Sequence, residues 1–233
     1  MNDNFSRQLR NGARIRGLFF AALVLGCTLS TASAQEKLDK KEEFSPLATP
    51  ATPTAITPPV GNSAFLEGHA RGTQGYVCLP SGPGAASWTV NGARPEATLF
   101  ANIFGEPFQI ITHFLSPVKN PSDIAIPAVG NATWQSSLDS SKVWAQTDKL
   151  HTIAAGTDLN SCPNTGSIAC LLLQVIGSEP GPTGGMTLTK TTFIQRLNTN
   201  GGSAPATGCA VPGDVGKIAL VPYSADYIFF RAD

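Results

Sequence analysis

Short apolar or alternating runs recur from residue 74 to the C-terminus, separated by clusters of glycine, proline, asparagine and serine. They read QGYVCL from residue 74, ATLFANIF from 97, PFQIITHFL from 107, SKVWAQT from 141, CLLLQVIG from 170, MTLTKTTFIQRLN from 186, KIALVPY from 217 and DYIFFRA from 226. Valine, isoleucine, threonine and aromatic residues dominate these runs, which suits a pleated surface better than a helix. Short strands between dense turn signals predict an all-β domain with little helix, a β-sandwich or a barrel. The single helical stretch, NPSDIAIPAVG from residue 120, is limited by Pro127 to a turn or two.

Two runs carry positional information. CLLLQVI is apolar on both alternating faces, so it is expected in the middle of the domain with both faces covered. Lys190, Thr192, Ile194 and Arg196 alternate with Thr191, Phe193, Gln195 and Leu197, the pattern of a half-exposed strand.

Ahead of the strands the pattern changes twice. Arg7, Arg10, Arg14 and Arg16 precede an apolar run over residues 17–29, followed by small residues ending in Ala32 and Ala34. This is the order of a secretory signal peptide, residues 1–34, with cleavage after Ala34. Thirteen apolar residues fall short of the roughly 20 that a spanning helix needs, so no transmembrane anchor is expected after cleavage. VLGC at residues 24–27 is loosely similar to a bacterial lipoprotein processing site, and the alternative is a chain lipid-anchored through Cys27. Residues 35–60 hold mixed charges and then five prolines among alanine and threonine, the composition of a flexible linker. Residues 61–233 form the single β domain. A secreted or periplasmic location follows from the leader.

Charge narrows the partners. The chain has 16 basic and 16 acidic side chains; removing four arginines and Asp3 with the leader leaves 12 − 15 = −3. No basic concentration is present to neutralise a phosphate backbone, and nucleic acid is not an expected partner. Cys78, Cys162, Cys170 and Cys209 remain after processing, an even number in an exported chain, which favours two disulfides. Four cysteines allow three pairings. Cys162 and Cys170 bracket a turn-like insert suited to a local bridge, in which case Cys78 and Cys209 close a long loop. No CxxC pair supports structural zinc.

Candidate chemistry is sparse. NTNGGSAPATGC, residues 198–209, has the glycines of a phosphate cradle but leads into another strand-like run, and GSEPGPTGGM carries two prolines. A cradle needs a helix N-terminus behind the loop, so both read as turns, and a dinucleotide fold is excluded with them. No cofactor and no metal are expected. His69, His113 and His151 are far apart and form no metal-ligand motif. His113 lies inside a strand, where the plain reading is a histidine satisfied by a backbone carbonyl; the alternative is a metal-assisted enzyme in which His113 works with another histidine and Asp139. There is no G-x-S-x-G elbow. Trp88, Trp134 and Trp144, with His113, are the candidate lining of a site for a small apolar or sugar ligand, set against the commoner role of tryptophan as a core plug.

Several segments in one order resemble a known family: GTQGYVC at 72–78, Trp88, PEATLF at 95–100, HFLSP at 113–117, DSSKV at 139–143, LLL at 171–173, FIQRLNTNGGSAP at 193–205, Cys209 and VPYSADYIFF at 221–230. The chain resembles the domain of unknown function 3455 family, exported proteins of bacteria and fungi, over nearly all of residues 60–233. The family has no established activity, so the resemblance implies no catalytic residue. Its cysteine pattern matches Cys78 and Cys209 and implies their pairing, leaving Cys162 with Cys170 as a local addition. After His113 the chain reads SPVKNPSDIAIPAVGNATW where the family has glycine, proline, threonine and tryptophan, so no role around His113 is carried over. The expectation is a non-catalytic binding or structural module of the envelope or secreted space, with a ligand carrier and the metal-assisted enzyme as alternatives.

Overall fold

A computed structural model describes residues 47–116 and 131–233, with the side chains of residues 92–95 excepted. The leader, Cys27, the first part of the proline-rich linker and the helical stretch at residues 120–130 lie outside the described residues. Nine strands are described: β1 Asn62–Gly82, β2 Ala85–Ile103, β3 Glu106–Ser116, β4 Asn131–Ser136, β5 Lys142–Gln146, β6 Thr152–Ile153, β7 Cys170–Glu179, β8 Thr191–Gly201 and β9 Ile218–Ala232. Two 3-10 turns, Thr54–Ile56 and Pro212–Asp214, are the helical elements among the described residues.

Every strand pair is antiparallel, and the sheet closes on itself. Its order is β5-β4-β3-β2-β1-β9-β8-β7-β6, with β5 also paired to β7. Gln174 pairs with Gln146 of β5 and Phe193 of β8, while Leu171 pairs with Thr152 of β6 and Arg196 of β8. β5 and β6 therefore lie one after the other along the same edge of β7, and β8 takes the opposite edge. The result is an eight-stranded ring in chain order with β6 as a short extension, an up-and-down barrel among the expected sandwich and barrel forms. Register shifts in β1 at residues 64–66 and 74–76 supply the bends that closure demands.

Alternation now has a physical meaning. Ala70, Leu99, Ile111, Trp134, Val143, Leu173, Ile194, Tyr227 and Phe229 point into the barrel and form one buried cluster. Glu67, His69, Arg71 and Asp226 lie on the outer face of β1 and β9, alternating with the buried Ala70, Ala225 and Tyr227. The lumen is thus apolar, and the outer face of β1 and β9 carries charge. Among the described residues no helix is long and apolar enough to cross a membrane.

The run CLLLQVI is covered on both faces at its start. Leu171 and Leu173 belong to the lumen, whereas Cys170 and Leu172 join an outer cluster with Ile56, Leu197, Ile228 and Phe230. That cluster is roofed by the loop carrying Cys162 and by the second half of the proline-rich stretch. Ile56 is fully buried there, and Leu47 donates its backbone N–H to Ala64 O at 3.1 Å. The stretch expected to be a flexible linker is thus seated on the barrel from Leu47 onward; burying one isoleucine contributes about 1.5–3 kcal/mol. The run expected to be a half-exposed strand is covered on both faces here, with Ile194 buried in the lumen and Gln195 buried beneath the seated segment.

Cys78 is bridged to Cys209 and Cys162 to Cys170. The two runs from residues 217 and 226 are a single strand, β9, since Pro222, Ser224 and Asp226 sit in register opposite Thr73, Arg71 and His69. After β8 the chain turns at Gly201 and Gly202, with φ of 79° and 80°. A Cβ at Gly202 would stand 2.9 Å from both Ile168 Cγ2 and Tyr223 Cβ, so the pair serves a left-handed turn under a close approach. No α-helix follows it, and the phosphate-cradle reading has no structural basis here.

Candidate functional site

The sequence candidates occupy separate places. His113 and Trp134 are brought together inside the barrel, stacked at 4.1 Å between ring centroids with 12° between planes, and Tyr227 closes on both rings. His113 Nδ1–H donates to Thr133 O at 2.9 Å. Burial pushes its pKa down to about 4, against the opposing effect of that bond and with a further push from the Arg196 charge. His113 is therefore a neutral core group at pH 7.

Asp139 sits outside the lumen in the turn between β4 and β5. Its Oδ1 accepts from Ser141 N and Oγ, and its Oδ2 from Thr187 N and Oγ1 at 2.9 and 2.7 Å. Partial burial opposes ionisation, but these bonds outweigh it and hold the carboxyl well below its ordinary range. His113 and Asp139 have no hydrogen-bond partner in common. Trp144 is buried on the other face of β5 and donates Nε1–H to Ser116 Oγ; Trp88 donates to Thr207 O and holds the loop that carries Cys209. Of the four candidate lining residues, the structure unites His113 and Trp134 and disperses the other two.

Two polar constellations appear that the sequence reading did not assemble. The first lies where β5 leaves β7 and the chain returns as β6. Residues 147–151 bulge outward there, and Asp148 Oδ1 accepts from the backbone N–H groups of Leu150 and His151 and contacts His151 Nδ1 at 2.8 Å. The His151 side chain is the main influence that lowers the Asp148 pKa. Thr147 Oγ1–H, bonded to Leu172 O at 2.6 Å, fixes the base of the bulge. Opposite stands the seated N-terminal segment with Thr54, Thr57 and Pro59. Between them is a cleft of about 190 Å³ with Leu172, Gln174 and Phe193 also on its walls. Drug-sized sites begin at about 300 Å³, so this one suits a single ring or a short chain.

The second constellation is on the outer wall of β1 and β9, where Glu67, His69 and Asp226 bring one ligand atom each within 4.8 Å of the others. His69 Nδ1 is 2.7 Å from Asp226 Oδ1. Glu67 and His69 lie ahead of the first run read as a strand, at residue 74, and the third member depends on the β1–β9 register, which nothing local encodes. The DxxH spacing of Asp148 and His151 is the local signal for the first constellation, and it reads as turn chemistry until the cleft beside it is seen.

The family model described as "Protein of unknown function (DUF3455)" matches residues 59–231. No curated protein and no solved structure matches the chain.

Proposed function

The chain belongs to the DUF3455 family of proteins of unknown function, and from that premise we propose that it is a non-catalytic binding module of the secreted or periplasmic space that takes its ligand on the outer wall of the barrel. The cleft between the seated N-terminal segment and residues 146–151 carries this reading. It offers the hydroxyls of Thr54, Thr57 and Thr147, the amides of Gln146 and Gln174, the Asp148–His151 pair, and one apolar edge at Phe193 and Leu172. Donors and acceptors disposed around one aromatic face are how a hydroxyl-bearing ring is held. The ligand class is a sugar unit of an envelope or extracellular polysaccharide.

The lumen is an unsuitable site for the same ligand. Leu99, Ile111, Trp134, Ile194, Tyr227 and Phe229 are at most 1% exposed and pack as one cluster along it. Two disulfides suit an oxidising compartment. The test is an NMR titration of the exported protein with mono- and oligosaccharides. Saturable shifts confined to residues 54–57, 146–151, 174 and 193, and weakened at least tenfold by Gln174→Ala, support the reading. Shifts elsewhere, or none at millimolar sugar, overturn it.

A further inference from the structure

We propose that Glu67, His69 and Asp226 form a binding site for a divalent transition-metal ion, open on one side to a groove in the barrel wall. The inference is independent of the sugar-binding reading.

Its geometry begins with strand periodicity. Glu67 and His69 are two residues apart on β1 and so project from the same, outer face. Asp226 of β9 stands directly opposite His69 in the ladder, and Glu67 opposite Ile228. One donor atom from each of the three side chains lies within 4.8 Å of the other two. With ligand bonds of roughly 2.0–2.2 Å two tetrahedral donors stand about 3.5 Å apart, so side-chain rotation that draws in separations of up to 4.8 Å brings all three onto a single ion. Both strands belong to a closed ring, so the donors stand on rigid elements.

The donor chemistry selects the ion. An imidazole with two carboxylates suits zinc, manganese or iron(II), whereas calcium and magnesium prefer oxygen alone. Asp226 is held from behind: Asn198 Nδ2 donates to its Oδ2 at 2.8 Å, leaving Oδ1 directed at His69 Nδ1. Support of this kind fixes a ligating carboxylate before the ion arrives.

A separate feature supplies the open side. A groove of about 320 Å³ adjoins the trio, lined by His69, Arg71, Phe100, Asn102 and Pro107. The groove meets the trio through His69, and three protein ligands leave positions at which water or a second ligand completes the shell of an exchangeable site. A structural site would be closed by a fourth side chain.

The experiment uses the full exported chain without a histidine tag, stripped with a chelator and titrated with Zn²⁺ by calorimetry, then with Co²⁺ by visible absorption. The expected result is one equivalent per chain at micromolar affinity, with calcium at least 100-fold weaker. His69→Ala should weaken zinc by at least 100-fold, and Glu67→Gln and Asp226→Asn by at least tenfold each. His69 is about half exposed, and thermal melts without metal confirm that the variant is folded. Wild-type protein that takes up no zinc at 1 mM overturns the proposal. So does an equivalent that survives His69→Ala and disappears in His151→Ala, which would assign the ion to the other histidine–aspartate pair.

Discussion

Gln195 Nε2 donates to the backbone carbonyl of Ile56 at 2.6 Å, joining the middle of β8 to a segment 139 residues earlier. The bond is buried, and Ile56 itself fills the outer cluster beside Leu172 and Ile228. One wall of the cleft therefore has a fixed position, since Thr54 and Thr57 flank the anchored residue. Truncating Ile56 separates this arrangement from a loose tether. Ile56→Ala is expected to lower the unfolding free energy by about 2–4 kcal/mol, as for other large-to-small core changes. Urea unfolding measures it, and a loss within 0.5 kcal/mol, about what a surface change produces, would mean the segment does not hold.

The same residues mark where the sequence was legible. The strands β3, β7 and β8 were readable because their runs are rich in β-branched, apolar and aromatic residues between turn signals, the covering of both faces of β7 followed from CLLLQVI being apolar at consecutive positions, and the pairing of Cys78 with Cys209 followed from family resemblance. Ile56 carried no readable signal: one isoleucine among prolines and threonines has no periodicity, and its burial depends on a surface assembled from β8, β9 and the Cys162–Cys170 loop. Closure was hidden for a similar reason, because the β1–β9 ladder joins the two ends of the domain. That ladder sets Asp226 opposite His69, so the trio was out of reach of any local reading. His113 was read correctly as a strand histidine bonded to a carbonyl, although the Trp134 ring stacked on it comes from the next strand.

The two disulfides should contribute unequally. Cys78 and Cys209 are separated by 131 residues and Cys162 and Cys170 by 8. In the chain-entropy model the longer closure is worth about 5 kcal/mol and the shorter about 2.5 kcal/mol. Replacing each pair by alanine and comparing guanidinium unfolding tests the order. A larger loss from the Cys162–Cys170 pair would show that its packing within the outer cluster, with Cys162 and Cys170 both fully buried, outweighs loop entropy.

Asp139 is a structural clamp. Its carboxylate joins the β4–β5 turn to the β7–β8 loop through both polar groups of Thr187. The backbone there is close, with a Cβ built on Gly185 only 2.3 Å from Asp139 Cβ. Asp139→Ala is expected to cost about 2 kcal/mol, given that hydrogen bonds to a charged acceptor contribute about 1.5–3 kcal/mol and this one is partly exposed. Sugar and zinc binding should be retained. Loss of either at unchanged fold would return Asp139 to a functional role.

The pH dependence of stability should report His113. Its folded pKa is about 4, lowered chiefly by burial against Trp134 and Tyr227, while the unfolded chain takes the ordinary value of 6.5. Between those values the unfolded state binds the proton and the folded state does not. Unfolding is therefore favoured as pH falls: the stabilisation is whole above pH 6.5 and is lost progressively down to pH 4. A separation of 6.5 − 4 = 2.5 corresponds to about 3 kcal/mol. Asp139 also has a lowered pKa, but its contribution is present above the unfolded value of 3.8 and is lost at lower pH, outside this window. Urea unfolding at intervals from pH 7 to pH 4 should show the slope in the wild type. In His113→Asn, less stable at pH 7, that slope should be largely abolished. An unchanged slope in the variant would leave the core histidine without a part in it.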